Sequence, residues 1–189
     1  MTLEFKNYKY LSEAEHLQVL EIRNSDYVRN NMKNKNIINI ECHLEWADNL
    51  KIDNESIYYA VFFDKVIVGA VYITELDYII SKSTWGLYFK KNINPLISSL
   101  SAYILFDYIF NTLHIQRLNL EVNKLNINAY KFDLNFGFQV YDEYTDNIDD
   151  YYLMSIKKDV WNEIRGIGLL KIFNKKLEKV NYKFINKEI

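Results

Sequence analysis

Two places in this sequence combine residue types that could do chemistry. In the first, residues 116–123 (QRLNLEVN), apolar Leu118, Leu120 and Val122 alternate with polar residues, which is typical of a strand with one buried face. Glu121 lies on the polar face, where a carboxylate could act as a general base, directly or through water. A surface charge paired with a lysine is the alternative role for Glu121, because perturbed, functional carboxylates are a minority.

The second place is a helix start at Asn94 and Pro95. Asparagine is a favoured N-cap, and proline suits the first helical position because it lacks the amide that would go unpaired there. The preceding residues 84–89 (TWGLYF) predict a buried strand that feeds this helix. The first amides and the positive dipole end of the helix could then bind phosphate or pyrophosphate beside the strand end. An ordinary strand-to-helix connection is the alternative.

The elements that position these residues follow from hydrophobic periodicity. Helical patterns occupy residues 12–24 (after a Ser12–Glu15 capping box), 26–32, 40–50, 95–112 and 126–135, and strand patterns occupy 3–10, 56–63, 65–76, 84–89, 116–123 and 151–156. The turn at Asp64 and Lys65 suits a hairpin, so the three middle strands form an antiparallel meander. The long crossover through the 95–112 helix allows strands 84–89 and 116–123 to be parallel. Where their ends separate, a cleft could admit a ligand.

Composition limits the classes of function. The 189 residues, 49% of them hydrophobic, are typical of a globular domain, and a net charge of −2 gives no global attraction to nucleic acid. One cysteine, Cys42, allows no internal disulfide, and the three histidines are too far apart in sequence to suggest a metal site. The sequence contains no apolar run of about 18 residues, the length that a membrane-spanning helix needs. We therefore expect a cytoplasmic protein with neither metal nor nucleic acid as a partner.

The C-terminal part differs in charge from the rest. Residues 157–189 contain nine Lys or Arg residues and four Asp or Glu residues. We predict one catalytic domain over residues 1–156 and a basic amphipathic helical extension over residues 157–189. One apolar face of this extension would pack on the domain; contact with a membrane surface, or a homodimer interface, is the alternative.

Several segments are similar to a known family. The stretch NINAYKFDLNFGF at 126–138, the WGLYF before the central helix and the order of elements resemble the GNAT superfamily of acetyl-CoA-dependent N-acetyltransferases. Within it, VLEIRN at 19–24, HLEWADNL at 43–50, GLYFKKN at 86–92 and LNLEVNKLN at 118–126 are similar to amino-sugar N-acetyltransferases of pseudaminic acid biosynthesis, which serve flagellin glycosylation. The similarity covers about residues 5–156.

The resemblance implies an α+β GNAT fold, with a mixed central sheet flanked by helices and a splayed parallel strand pair. It implies acetyl-CoA as co-substrate and a small-molecule nucleotide sugar as acceptor. The acceptor group would be the 4-amino group of a UDP-linked 4-amino-4,6-dideoxy sugar, which would attack the thioester directly in a ternary complex. An acetyltransferase of protein amino termini, and a GNAT-fold binding module that has lost catalysis, are the competing hypotheses.

The resemblance also assigns residues to roles. The base would be Glu121, and Tyr130 is the candidate acid. Acceptor binding would involve Arg23, Asn24, His43 and Trp46; helix capping and core packing are the alternatives for these four. The candidate coenzyme-binding residues are Leu87, Tyr88, Phe89, Ile97, Ser98, Ser99, Asn123, Asn126, Ala129 and Phe132.

Two positions depart from the family pattern. Its phosphate-binding glycines are replaced by residues 94–99 (NPLISS), so the amides of Ile97 and Ser98 and the hydroxyls of Ser98 and Ser99 would have to bind the pyrophosphate. The position of the tyrosine that protonates the leaving thiolate is occupied by Asp133. An aspartate can donate a proton only where burial raises its pKa. Tyr130 lies one turn earlier, so water or another tyrosine is the alternative proton source.

Overall fold

The computed structural model describes residues 1–146 and 148–187, which form a mixed eight-stranded sheet with helices on both faces. The strands are β1 Thr2–Asn7, β2 Ile57–Phe63, β3 Val66–Asp77, β4 Lys82–Phe89, β5 Arg117–Asn123, β6 Gln139–Thr145, β7 Asp150–Lys157 and β8 Asn181–Ile185. The helices are α1 Glu13–Asn24, α2 Asp26–Arg29, α3 Ile40–Asn49, α4 Pro95–Asp107, α5 Ile127–Asn135, α6 Lys158–Ile164 and α7 Gly168–Leu177. The strand order is β6-β7-β5-β4-β3-β2-β1-β8.

The middle of the sheet is the predicted antiparallel meander of β2, β3 and β4. Asp64 and Lys65 form the β2–β3 turn with positive φ angles of 45° and 72°, the left-handed geometry of a tight hairpin. After β4 the chain crosses over through α4 and returns as β5, parallel to β4. The meander and the crossover are therefore confirmed.

The parallel pair β4–β5 separates soon after it forms. Pairing runs only from Lys82 opposite Arg117 to Thr84 opposite Asn119, although both strands continue. Beyond these residues the facing backbone groups of β4 and β5 are not bonded to each other, and the strand ends are splayed. This gap confirms the predicted splayed strand pair and gives the sheet an opening near its centre.

Helix α4 begins as the sequence predicts. The side chain of Asn94 accepts a hydrogen bond from the amide of Leu96 at 3.0 Å, and Pro95 is the first helical residue. The helix is buried over most of its length, and Phe106 packs edge-on against Trp85 with ring centroids 4.4 Å apart. This apolar packing fixes the position of the helix start relative to β4.

The C-terminal segment is helical over α6 and α7, as predicted, but it ends in a strand. Strand β8 pairs parallel to β1 and extends the sheet. Its Phe184 stacks on Phe5 and on Tyr108, with centroids 4.7 and 4.3 Å apart. The five-residue strand is too short to show a clear alternation, so periodicity alone extended the helix too far. Residues 188 and 189 of the predicted extension lie outside the described residues.

Two other predicted boundaries were wrong and one strand was missed, whereas the helix predicted over 95–112 has its predicted bounds. The strand predicted over 3–10 ends at Asn7, whose side chain accepts from the amide of Lys9 and caps a 3₁₀ turn over Tyr8–Tyr10. The helix predicted over 26–32 ends at Arg29, and α4 continues through a π-helical turn, Tyr108–Thr112. Strand β6 was missed, because nearly all its side chains are exposed and it shows no apolar alternation. None of the helices in the described residues has the length and hydrophobicity needed to span a membrane.

Candidate active site

The gap between β4 and β5 is bordered by Glu121 and by the candidate coenzyme-binding residues on these two strands. On one face of the sheet, Glu121 extends from β5 toward the loop between α2 and α3. On the other face, α4 and α5 pack against the apolar side of the same strands. A ligand that entered the gap would therefore contact different side chains on its two sides.

Glu121 is tied into a small polar network. Its Oε2 accepts hydrogen bonds from the Tyr144 hydroxyl at 2.8 Å and from Lys33 Nζ at 3.1 Å. Lys33 Nζ also donates to the Tyr144 hydroxyl at 2.9 Å. The hydrogen bonds to Tyr144 and Glu121 raise the pKa of Lys33, so it remains a cation. The charge pairing that the sequence left open for Glu121 does exist, and its partner is Lys33.

Arg23 and Asn24, at the end of α1, hold the loop that carries Lys33. The side-chain Nδ2 of Asn24 donates to the carbonyl oxygen of Ile38 at 2.7 Å, and its Oδ1 accepts from the backbone amide of Ile38 at 3.0 Å. Arg23 Nη2 donates to the carbonyl oxygen of Asn34 at 2.7 Å, whereas its buried Nη1 has no hydrogen-bond partner among the described residues. Both polar groups of the Asn24 side chain are thus bonded to the loop, whereas the Nη1 group of Arg23 has no bond among the described residues.

A cavity of about 130 Å³ lies beneath this loop, at the end of β5. Asn123 and Asn126, both candidate coenzyme-binding residues, line it together with Lys35, Asp149 and Tyr151. Lys35 bonds Asp149 across the cavity at 2.8 Å and lowers the pKa of Asp149. The side chain of Asn126 accepts from the amide of Ala129 at 3.1 Å and so caps α5.

The start of α4 offers few free phosphate donors. The amide of Leu96 is capped by Asn94, and the amide of Ile97 donates to the carbonyl oxygen of Asn94 at 2.8 Å. The Ser98 hydroxyl donates to the carbonyl oxygen of Pro95 at 3.0 Å. Of the four donors proposed from the sequence, the Ile97 amide and the Ser98 hydroxyl are therefore already occupied within the protein.

Two lysines beside this helix start were not singled out in the sequence. Lys90 and Lys91 follow β4 directly, are exposed, and precede Asn94 in the same loop. Two positive charges at this point would attract a pyrophosphate without requiring a particular backbone geometry. The signal that could have identified them is a basic pair placed between the strand and the helix start.

The face of the sheet opposite Glu121 carries the candidate acid. The ring of Tyr130 packs on the ring of Tyr152, with centroids 5.1 Å apart, and Phe132 packs on Phe136 at 4.8 Å. Asp133 is buried, and burial raises its pKa to about 8. An aspartic acid of this kind is mostly protonated at neutral pH, which is the condition under which it can donate a proton.

The candidate residues on β4 and on α3 differ in how deeply they are buried and in their hydrogen-bond partners. Leu87 and Phe89 contribute to the core beneath α4, and the Tyr88 hydroxyl is hydrogen-bonded to the Tyr8 hydroxyl at 2.9 Å. His43 is buried against His16, with ring nitrogens 3.2 Å apart, and burial followed by the charge of His16 lowers the pKa of His43 to about 4. His43 is thus a neutral side chain that packs in the core. Trp46, in contrast, is 37% exposed.

The described residues contain no group of three or more His, Cys, Asp or Glu side chains arranged to hold a metal ion.

The family model described as an acetyltransferase (GNAT) domain matches residues 9–150. The chain belongs to the GNAT acetyltransferase family. This match confirms the predicted fold. It also confirms the predicted activity, which is that of an acetyl-CoA-dependent N-acetyltransferase.

Individual relatives refine the comparison. The chain is 29% identical to the acetyltransferase PseH of Campylobacter jejuni over 157 residues, which are 82% of this chain and 94% of the relative. The crystal structure of that N-acetyltransferase in complex with acetyl coenzyme A has a TM-score of 0.66 and 24% identity, covering 82% of this chain and 98% of that one. A spermidine N-acetyltransferase from Vibrio cholerae, solved with CoA and spermine, has a TM-score of 0.73 and 15% identity, covering 85% and 98%. At these identities the two structures share the fold.

Proposed function

We propose that this enzyme acetylates the 4-amino group of a UDP-linked 4-amino-4,6-dideoxy-N-acetyl-altrosamine-like sugar, as a cytoplasmic step of pseudaminic acid biosynthesis for flagellin glycosylation. The observation that carries the proposal is the 29% identity to the Campylobacter jejuni acetyltransferase PseH along 94% of that protein. The cleft chemistry supports the same class of acceptor.

Charge favours an anionic acceptor over a polyamine. On the loop side of the cleft Lys33 is paired with Glu121, whereas the Nη1 group of Arg23 has no partner among the described residues. A nucleotide sugar brings a pyrophosphate that a guanidinium group binds well, whereas spermidine is a polycation that the Arg23 guanidinium would repel. The similarity to the spermidine enzyme is a similarity of fold and does not outweigh this argument.

The splayed strands supply the coenzyme site in this proposal. Beyond Thr84 and Asn119 the facing backbone groups of β4 and β5 are not bonded to each other, and buried backbone groups require partners. The amides of pantetheine would bond to β4 at residues 87–89, with Asn123, Asn126, Ala129 and Phe132 on the other side of the gap. The Ser98 amide, the Ser99 hydroxyl and the charges of Lys90 and Lys91 would bind the pyrophosphate.

The reaction would then use the two faces of the sheet. Glu121, directly or through water, accepts the proton that the acceptor ammonium loses, and the free amine attacks the thioester carbonyl carbon. The attacking nitrogen loses its second proton to solvent as the tetrahedral intermediate collapses, the C–S bond breaks, and CoA leaves as a thiolate. Tyr130, from the opposite face, donates the proton to sulfur; a neutral Asp133 is the alternative donor. No covalent enzyme intermediate forms.

Titration calorimetry with acetyl-CoA, followed by an acceptor screen, tests the proposal. We expect micromolar binding of acetyl-CoA, near −8 kcal/mol, and transfer to the UDP-linked amino sugar but not to spermidine. Transfer to a peptide amino terminus would instead support an acetyltransferase of proteins. Failure of the folded protein to bind acetyl-CoA would favour the binding module that has lost catalysis.

A further inference from the structure

A row of aromatic side chains crosses the sheet and ends at the cleft. Tyr58 on β2 lies opposite Tyr72 on β3, and Tyr72 lies opposite Gly86 on β4. The rings of Tyr58 and Tyr72 stack with centroids 5.1 Å apart and an interplanar angle of 19°. Trp46 packs edge-on against Tyr58 at 4.8 Å and closes the far end of the row. The ring of Tyr72 is thus braced from one side and directed toward β4.

Gly86 leaves the space that the Tyr72 phenol occupies. A Cβ atom added at Gly86 would lie 2.2 Å from Cζ and 2.3 Å from the hydroxyl oxygen of Tyr72. Such distances are far below van der Waals contact, so any other residue at position 86 would displace the phenol. The tyrosine hydroxyl therefore lies directly over the backbone of β4.

This point of β4 faces Glu121 across the gap. Pairing between β4 and β5 ends at Thr84 opposite Asn119, and two residues further along each strand lie Gly86 and Glu121. Residues two apart on a strand point to the same face, so Glu121 and the phenol over Gly86 share the loop side of the sheet. The Tyr72 hydroxyl and the Glu121 carboxylate consequently flank the opening from its two sides.

The Tyr72 hydroxyl is also available for a ligand. Burial raises the pKa of Tyr72, and the nearby positive charge of Arg23 opposes the rise only in part; no protein hydrogen bond contributes within the described residues. Tyr88, two positions beyond Gly86, differs because its hydroxyl is paired with Tyr8 at 2.9 Å. Tyr72 is therefore a protonated donor whose partner is not supplied by the residues that the structure describes.

We propose that the Tyr72 hydroxyl binds the acceptor, by donating a hydrogen bond to a sugar oxygen next to the reacting amine. This contact would hold the amine between Glu121 and the thioester, and so make Tyr72 an acceptor-binding residue. Arg23, on the same side of the cleft, would bind the anionic part of the acceptor. The inference rests on the proposed function, which it extends by naming this residue.

The test compares Tyr72→Phe with Tyr58→Phe. Both changes remove one hydroxyl from the same row and keep the ring, but the Tyr58 hydroxyl is one strand further from the cleft. With acetyl-CoA and the UDP-linked 4-amino-4,6-dideoxy sugar, we expect Tyr72→Phe to lower kcat/KM for the sugar about 3- to 15-fold. The KM and the calorimetric affinity for acetyl-CoA should not change. Tyr58→Phe should leave both substrates unaffected.

A second pair of variants tests the position of the ring. Gly86→Ala should lower kcat/KM for the sugar in the wild-type background, because the new methyl group displaces the phenol. The same change should have a much smaller effect in a Tyr72→Ala background, where no ring remains to be displaced. Equal effects in the two backgrounds would contradict the inference.

The outcomes separate the inference from the proposed function. If the wild type acetylates the sugar and Tyr72→Phe has the same kcat/KM for it, the inference is wrong and the proposed function stands. If the wild type binds acetyl-CoA but neither binds nor acetylates the sugar, the proposed function is wrong and the inference fails with it.

Discussion

Replacing Asp133 with asparagine should change how the stability of the protein depends on pH. Burial raises the pKa of Asp133 from 3.8 to about 8, so the folded state holds a proton that the unfolded state releases above pH 4. A group whose pKa is higher in the folded state stabilises the fold at low pH, and this stabilisation is lost as the pH rises toward the folded-state pKa. Asp133→Asn removes this dependence while it keeps the shape of the side chain.

The magnitude follows from the number of protons linked to folding. One proton contributes about 1.4 kcal/mol per pH unit between the two pKa values. From pH 5 to pH 7, the free energy of unfolding of the wild type should fall by roughly 2.7 kcal/mol relative to Asp133→Asn. In a chain of this size that difference corresponds to roughly 5–10 °C in Tm.

Urea unfolding of both proteins at pH 5, 6 and 7 measures this effect. Asp142→Asn, on the exposed strand β6, controls for the loss of one carboxylate from the surface. We expect the difference in unfolding free energy between wild type and Asp133→Asn to widen with pH in favour of the asparagine variant. A difference that stays constant from pH 5 to pH 7 would refute the argument, because it would mean that Asp133 is ionised in the folded protein.

Three further changes test the site and the fold. Glu121→Gln should lower kcat at least about 100-fold without weakening acetyl-CoA binding in calorimetry, because it removes the proposed base and leaves the coenzyme contacts. An unchanged kcat would assign the base elsewhere. Replacing both Lys90 and Lys91 by alanine should weaken acetyl-CoA binding roughly fivefold at low salt. The loss should be smaller at high salt, because salt screens exposed charges. Equal affinities of the wild type and the double variant at low salt would exclude a role for these lysines. Phe184→Ala should lower the free energy of unfolding by roughly 1–3 kcal/mol, whereas Tyr182→Ala, exposed on the same strand, should have little effect; a loss no larger than that of the control would show that β8 contributes little packing.

Features that depend on neighbouring residues were predictable from the sequence. Asn94 and Pro95 define the start of α4 through local hydrogen bonding and a fixed φ, and Asp64 and Lys65 define the hairpin for similar reasons. The alternation along β5 placed Glu121 on the correct, polar face. Local rules suffice here because the interacting atoms are only a few residues apart.

Features that depend on distant contacts were not predictable in this way. The partner of Glu121 is Lys33, 88 residues earlier, and His43 pairs with His16, 27 residues away. The periodicity placed His43 and Trp46 on one helix face but could not show that the histidine is covered while the tryptophan stays partly exposed. The raised pKa of Asp133 likewise follows from burial, which only the tertiary structure determines.

The position of the cleft follows from a single interruption of the sheet. Strands β4 and β5 pair over three residues and then separate, so the backbone groups that face the gap beyond Thr84 and Asn119 depend on water or a ligand for their hydrogen bonds. An extended chain of amides satisfies such groups better than a compact ligand, because its donors and acceptors repeat along the strand. In the proposed reaction, Glu121 from β5 and Tyr72 over Gly86 would act on the group at the exposed end of that chain. Coenzyme binding and acceptor selection would thus both depend on where the β4–β5 pairing stops.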